Sequence, residues 1–365
     1  MSRLTTDSVI QRHIRSDVRA MHAYAVQPSE GLVKLDAMEN PFRLPEPLRA
    51  ALGARLAEVA INRYPGSRNE DLRRALAQHA GLPAGFDLIL GNGSDELISM
   101  LSLACANPGA SVVAPVPGFV MYDVSARLQG LHSISVPLTA DFELDEAAML
   151  AAMAKHQPAV VYIAYPNNPT ANLFDDAIIE RLIEAAPGLV VIDEAYQPFA
   201  SRSYIDRVSR HDHVLIMRTL SKFGLAGVRL GYLVGPKALI AEIDKVRPPY
   251  NVSVLNCEAA LFALEHADEF DRQAAVLRSE RAKLMSALQA LPGMHPYPSE
   301  ANMILVRVPD AAALFAALKL RGILVKNVSN LHPLLADCLR LTVGTPQENV
   351  SLMSALKSSL EESKR

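Results

Sequence analysis

Met217-Arg218-Thr219-Leu220-Ser221-Lys222-Phe223-Gly224-Leu225-Ala226-Gly227-Val228-Arg229 is the stretch that decides the fold. An apolar run from His213 to Met217 leads into it and reads as a buried strand. Lys222 therefore lies at the mouth of a sheet, just past two hydroxyl residues and before a glycine-broken turn that ends in an arginine. A lysine desolvated in such a place loses its proton more readily and can form a Schiff base with a carbonyl compound. Thr219, Ser221 and Arg229 are what an anionic group beside that imine would need. An isolated Ser-Lys pair would suit a surface lysine after a strand equally well, so the reading depends on its surroundings.

Three other segments supply matching parts. In Val190-Val191-Ile192-Asp193-Glu194-Ala195-Tyr196 an apolar strand delivers Asp193 to a strand end, with Tyr196 three positions on. A carboxylate there can pair with a protonated ring nitrogen and a phenol can hydrogen-bond a ring oxygen, although an aspartate at a strand end also serves as a magnesium ligand. Tyr165-Pro166-Asn167-Asn168-Pro169-Thr170 follows the apolar strand Ala159 to Ala164, and its two prolines set Asn168 facing the strand ends. Gly91-Asn92-Gly93-Ser94-Asp95-Glu96 opens the helical run Leu97 to Ala106. Glycines before a helix leave free backbone N–H groups, a ready phosphate site, while Ser94 or Asp95 could equally be an N-cap.

Strand-like runs at 88–90, 111–114, 132–136, 160–163, 189–192, 214–218 and 231–234 alternate with helical stretches. That alternation predicts an α/β fold with a mostly parallel sheet flanked by helices and a site at the strands' carboxyl ends. The candidate residues all fall just past those strands. Residues 45–80 read as helical with an interruption near Tyr64-Pro65-Gly66, and 256–291 as one long helix. The tail carries strands at 303–308, 323–326 and 339–343, which suits a smaller α+β domain. The expected organisation is an arm over 1–34, a large domain over 35–255 and a small one over 256–365.

Composition is compatible with this. The 365 residues exceed one ordinary domain, half are hydrophobic, and a net charge of −3 leaves no nucleic-acid footprint. The arginines from Arg12 to Arg19 have no apolar run behind them, and no stretch approaches a spanning helix, so neither a leader nor a membrane anchor is expected. Cys105, Cys257 and Cys338 are odd in number and set in apolar contexts, as buried thiols of a reducing cytoplasm would be. The ten histidines show no ligand spacing, and no metal site is expected.

Taken in chain order, the phosphate turn, Asn-Pro turn, Asp-x-x-Tyr and Ser-Lys segments resemble the fold-type I pyridoxal-phosphate (PLP) aminotransferases. The resemblance implies the PLP-dependent transferase fold type I. Lys222 would then carry PLP as a Schiff base and later shuttle a proton between substrate Cα and cofactor C4′. Asp193 would pair with the pyridinium nitrogen and keep it protonated, making the ring an electron sink. Tyr196 and Asn168 would hydrogen-bond the ring's 3-oxygen. The amides of Ser94 and Asp95, with Thr219, Ser221 and Arg229, would hold the 5′-phosphate. Phe119, in Pro117-Gly118-Phe119-Val120-Met121-Tyr122, stands where that family stacks an aromatic ring on the cofactor; it reads equally as a core phenylalanine at a helix start.

Within the superfamily the chain is similar, nearly end to end, to the histidinol-phosphate aminotransferase family. Lys34-Leu35-Asp36-Ala37-Met38-Glu39-Asn40-Pro41 resembles its entry motif, with Met38 where that motif often has Asn, and places Asn40 on the substrate side. Asn62-Arg63-Tyr64-Pro65 resembles its Tyr-Pro segment, which implies a homodimer in which Tyr64 reaches the other protomer's PLP phosphate. Cys338-Leu339-Arg340-Leu341-Thr342-Val343-Gly344-Thr345 resembles its arginine strand, so Arg340 would bind the substrate's terminal anion. Tyr24 in the N-terminal arm would add a phosphate contact. Lys326 stands where many relatives have an arginine and is either a substrate ligand or a plain surface lysine. The implied reaction exchanges the amino group of histidinol phosphate with 2-oxoglutarate, yielding glutamate, by a ping-pong route. Open alternatives are another amino-acid aminotransferase, a phospho-amino-acid decarboxylase, and a PLP-fold protein that only binds ligands.

Overall fold

The computed structural model describes residues 4–23 and 27–362; Tyr24 lies outside them. Residues up to Gly31 form one unit and those from Leu32 onward another. In the first, Thr5 caps helix Thr6–His13 by accepting the Ser8 N–H, and the Ser8 hydroxyl takes the Thr5 N–H in return, a reciprocal capping box. A short helical turn, Ser16–Arg19, follows.

A seven-stranded sheet organises the second unit: β1 (Phe86–Gly91), β2 (Ser111–Val116), β3 (His132–Pro137), β4 (Val160–Ala164), β5 (Leu189–Asp193), β6 (Val214–Thr219) and β7 (Gly231–Pro236). Every strand expected in this region is present, longer at one or both ends. The spatial order is β1-β7-β6-β5-β4-β2-β3. Neighbours run parallel except β7, which is antiparallel to both β1 and β6. The link from Leu220 to Leu230 is too short for the helical crossover that a parallel neighbour needs, so β7 must run back. Strands β4 and β6 are buried along their whole length, which is why β4 and the first four residues of β6 read as apolar runs.

The reversal of β7 has a consequence for chemistry. Its first residue, Gly231, pairs with Thr219 on one side and Gly91 on the other. Asp193 pairs with Ala164 and Met217. The ends of β1, β4, β5 and β6 and the beginning of β7 thus share one edge of the sheet. Helices α1 (Ser94–Ala104) and α2 (Met121–Leu128) follow β1 and β2 from that edge.

Two expectations need correcting. The helix over 256–291 is two, α3 (Val254–Glu265) and α4 (Ala267–Gln289), broken where His266 adopts φ −120° and ψ 35°. No glycine or proline marks the break; α3 instead packs on helix Arg68–Ala80, and Ser253 caps its start by accepting the Asn256 N–H. The strand over 323–326 divides at Val325: Ile323–Leu324 pairs with Val33–Lys34, while Lys326–Asn327 pairs with another strand, β9 (Cys338–Thr342). The two halves serve different sheets, so no single ladder can run through them. With β8 (Met303–Arg307) and His295–Pro296, β9 builds a four-stranded antiparallel sheet carrying its own apolar core, which includes Leu284, Met303, Ile304, Leu339 and Leu341. Among the described residues no helix is long and apolar enough to cross a membrane.

One buried ion pair ties β5 to β6 beneath the shared edge. Arg218 donates to Glu194 Oε2 from Nε at 2.9 Å and stands 2.8 Å away through Nη2, with Ser203 Oγ 3.0 Å from the same Nη2. The Glu194 side chain is fully buried. Removing one partner strands the other charge out of water, so Glu194→Ala should lower unfolding free energy by about 3–5 kcal/mol. Glu146→Ala, which breaks a largely exposed pair with Arg181, should cost under about 1 kcal/mol. Urea unfolding of both variants checks the contrast.

Candidate active site

Asp193, the last residue of β5, is buried, and both its oxygens are engaged. Oδ1 accepts the Ala195 N–H at 3.0 Å and Oδ2 accepts the Tyr122 hydroxyl at 2.6 Å. Burial pushes the carboxyl up to about 6, and these two donors hold it back from rising further. Tyr122 was not singled out in the sequence. Its ring stacks on Tyr162 of β4 at 4.4 Å and meets the half-buried Phe119 edge-on at 5.5 Å. An aromatic three residues after Phe119, on the first turn of α2, was the available signal.

Lys222 sits on an irregular turn, Ser221–Leu225, that follows β6. Two features fix that turn. Phe223 stacks on Phe270 of α4 with ring centroids 4.7 Å apart. Gly224 takes φ +140°, where a Cβ would lie 2.8 Å from the Phe270 ring and 3.1 Å from Asn40 Nδ2, so only glycine fits. The Lys222 amine donates to the Ala37 carbonyl at 3.0 Å and lies 5.8 Å from the centre of the Tyr196 ring. Burial first, and then the Arg340 charge, bring it down to about 8. Tyr196 is buried, and burial makes its hydroxyl hold its proton more tightly than usual, against the opposing charge of Arg340.

The beginning of α1, Arg229 and the end of β6 together form a cationic, N–H-rich corner. Gly93 occupies the N-cap position with no side-chain cap, so neither Ser94 nor Asp95 plays that part. The first amides of α1 therefore have no partner within the helix. A Cβ on Gly93 would lie 2.7 Å from Arg229 Nη2, which shows how closely the guanidinium approaches the loop. Arg229 also stands 3.5 Å from Asp95. The buried Thr219 Oγ1 accepts the Ser221 N–H at 3.1 Å and lies 3.0 Å from Ser221 Oγ.

Opposite Lys222 runs the segment 35–40, which follows the short strand Val33–Lys34. Arg340 on β9 donates to the Asp36 carbonyl at 2.7 Å and to Asn168 Oδ1 at 2.8 Å, bringing the Asn-Pro turn to the arginine strand. Lys326 pairs with Arg340 in the antiparallel register, so the two cations are cross-strand neighbours. Asn40 is placed as a tie: its Nδ2 bonds Gln273 Oε1 at 2.9 Å and approaches the Phe223 carbonyl at 3.4 Å. Asn167, which the sequence reading passed over, donates to the Pro117 carbonyl at 3.0 Å and so binds the Asn-Pro turn to the segment bearing Phe119. Tyr64 stands apart. It is 74% exposed and stacks on Tyr250 with centroids 4.2 Å apart.

The chain is similar over nearly its whole length to known aminotransferases. A model of the class I and II aminotransferases matches residues 30–356. A histidinol-phosphate aminotransferase of Methylibium petroleiphilum is 73% identical, over 96% of this chain and 95% of its own length. One from Polaromonas naphthalenivorans is 66% identical over 98% of each. The fold is similar to that of a histidinol-phosphate aminotransferase from Sinorhizobium meliloti solved with pyridoxal-5′-phosphate, with a TM-score of 0.83, 24% identity and coverage of 96% of this chain and 98% of that one.

An amine that titrates near 8 is an unusual nucleophile at neutral pH. Reductive methylation with formaldehyde, followed residue by residue by mass spectrometry, should modify Lys222 with a midpoint near pH 8. Exposed lysines should follow at about 10.4. A Lys222 that titrates with the surface lysines would contradict its burial.

Proposed function

The chain belongs to the class I and II aminotransferase family, and from that premise we propose that it transfers the amino group of L-histidinol phosphate to 2-oxoglutarate through pyridoxal phosphate, giving imidazole-acetol phosphate and glutamate. The observation that carries the site reading is the meeting of a buried, readily deprotonated lysine with a strand arginine. Lys222 and Arg340 are held by consecutive carbonyls, Ala37 and Asp36.

The residues present fit the cofactor. A buried carboxylate at a strand end suits a basic ring nitrogen, and the cradle at Gly93, where a side chain would strike Arg229, suits a compact anion. When bound, pyridoxal phosphate supplies an electron sink that allows the substrate's Cα–H bond to break. Lys222 would take that proton from Cα and deliver it to the cofactor's C4′, a task suited to an amine that titrates near working pH. Asp193 holds the ring nitrogen's proton. Tyr196 and Asn168 donate to the ring's 3-oxygen, and Phe119 packs against the ring face. The first amides of α1, with Thr219, Ser221 and Arg229, hold the cofactor phosphate. Arg340 takes the substrate's terminal anion, a phosphate in one half-reaction and a carboxylate in the other. Lys326, its cross-strand neighbour, adds a second positive charge to the same end.

Two further elements complete this reading. The protein acts as a homodimer in which the exposed Tyr64 of each protomer reaches the other's cofactor phosphate; its exposure and its stack on Tyr250 suit a covered surface. The arm over 1–34 and the large and small domains divided near residue 255 would serve that dimer. Three unpaired cysteines suit a reducing cytoplasm.

Adding L-histidinol phosphate to the PLP-loaded protein should bleach its visible cofactor band, and 2-oxoglutarate should restore it. Carbon dioxide release without glutamate formation would overturn the transamination. Lys222→Ala should lack the covalent cofactor band and lose turnover by orders of magnitude. Arg340→Met should raise KM for both substrates by about 10-fold or more, while Lys326→Met should raise it by less. Mixing inactive Lys222→Ala and Tyr64→Ala proteins should recover activity that neither has alone.

A further inference from the structure

Asp193 is reached from every side by groups that oppose its charge or share its burial. Asp95 lies on α1 and Glu194 follows Asp193 directly after β5, both making its ionised form less favourable. Tyr162 on β4 and Tyr196 just past β5 are buried phenols close enough to feel its charge. Only Tyr122 and the Ala195 N–H donate to it among the described residues. The Ala195 bond is local and comes with the turn after β5. The Tyr122 bond is not: it reaches from α2, and the phenol making it is held rigidly, stacked on Tyr162 and edge-on to Phe119.

We propose that Tyr122 is a positioning residue whose hydroxyl holds the Asp193 carboxylate in the orientation and charge state needed to keep a proton on the cofactor's ring nitrogen. The inference rests on the cofactor reading above and adds a residue that acts through Asp193 without touching the reacting atoms. The Tyr122 proton occupies Oδ2 and the backbone N–H occupies Oδ1, so the carboxylate cannot rotate without breaking one bond. Each oxygen keeps a second lone pair for a ring N–H. A charge-assisted hydrogen bond of 2.6 Å favours the ionised carboxylate. Without it, burial and the neighbouring Asp95 and Glu194 charges act unopposed except for one amide.

The test is the pH dependence of PLP affinity, measured by equilibrium binding to cofactor-free protein from pH 5.5 to 9, for wild type, Tyr122→Phe and Tyr162→Phe. Cofactor and Lys222 ionisations are common to all three and cancel in the comparison. In Tyr122→Phe the acid limb should move up by about one to two pH units, the worth of a hydrogen bond to a charged group, with affinity recovering at pH 9. Tyr162→Phe removes a hydroxyl from the ring stacked on Tyr122 and should leave the limb in place. The nitrogen-15 shift of ring-labelled PLP should show a less protonated nitrogen in Tyr122→Phe at neutral pH. An unmoved limb, an equal loss at every pH, or the same movement in Tyr162→Phe would overturn the role of Tyr122. A wild-type protein that binds no PLP at any pH would overturn the cofactor reading itself.

Discussion

Holding ionisable groups out of water at one edge of a sheet is the constraint on which the rest of this structure depends. Asp193 and Lys222 are each displaced toward neutrality by burial, one upward to about 6 and the other downward to about 8. A chain tolerates that only where the desolvated groups have partners or where the surrounding structure compensates. Here the compensation is specific. Asp193 has a phenol and an amide, Lys222 has a backbone carbonyl, and the Glu194–Arg218 pair beneath them is mutually satisfied.

The apolar strands make that arrangement affordable. Strands β4 and β6, buried from end to end, anchor the sheet, so the turns beyond them start from fixed points. The short return from β6 to β7 then brings Arg229 and Gly231 to the same edge as Thr219 and Gly91. Had β7 been reached by a helical crossover, the arginine would have emerged at the opposite edge of the sheet. A single short connection therefore decides whether the lysine turn and the anion corner belong to one site.

The second sheet contributes through a different kind of contact. It delivers Arg340, and through Thr342 it holds the neighbouring segment 35–40, whose two carbonyls bind Arg340 and Lys222. Met38 within that segment adopts φ 52°, a backbone region costly for a side chain of its kind, yet its N–H and carbonyl are both taken, by Thr342 and Asn302. The strain is thus held in place by hydrogen bonds from the sheet behind it. Asn is more at ease in that conformation, which gives a physical meaning to the departure noted in the sequence at this position.

Much of the fold was legible in the sequence because the signal was local. Buried parallel strands announce themselves as short apolar runs, and the turns that end them carry glycine, proline, asparagine or a lone charge. Asp193, Asn168, Lys222 and Arg229 were readable as candidates for that reason, each lying at or within a few residues of the end or start of a strand. The break at His266 was not, because α3 and α4 are separated by packing against different helices and by no local breaker. Nor was the division at Val325, where pairing partners far apart in sequence, Val33–Lys34 and β9, draw the two halves into different sheets. Tyr122 was missed for the same reason. Its importance lies in a hydrogen bond to a residue on another strand, and the Glu194–Arg218 pair likewise joins β5 to β6. The sequence by itself determined which residues stand at strand ends, since periodicity and turn chemistry are properties of neighbours along the chain. Only the tertiary structure decided which of those ends face one another and which buried charges find partners, because burial and hydrogen bonding across strands depend on distances that no local pattern encodes.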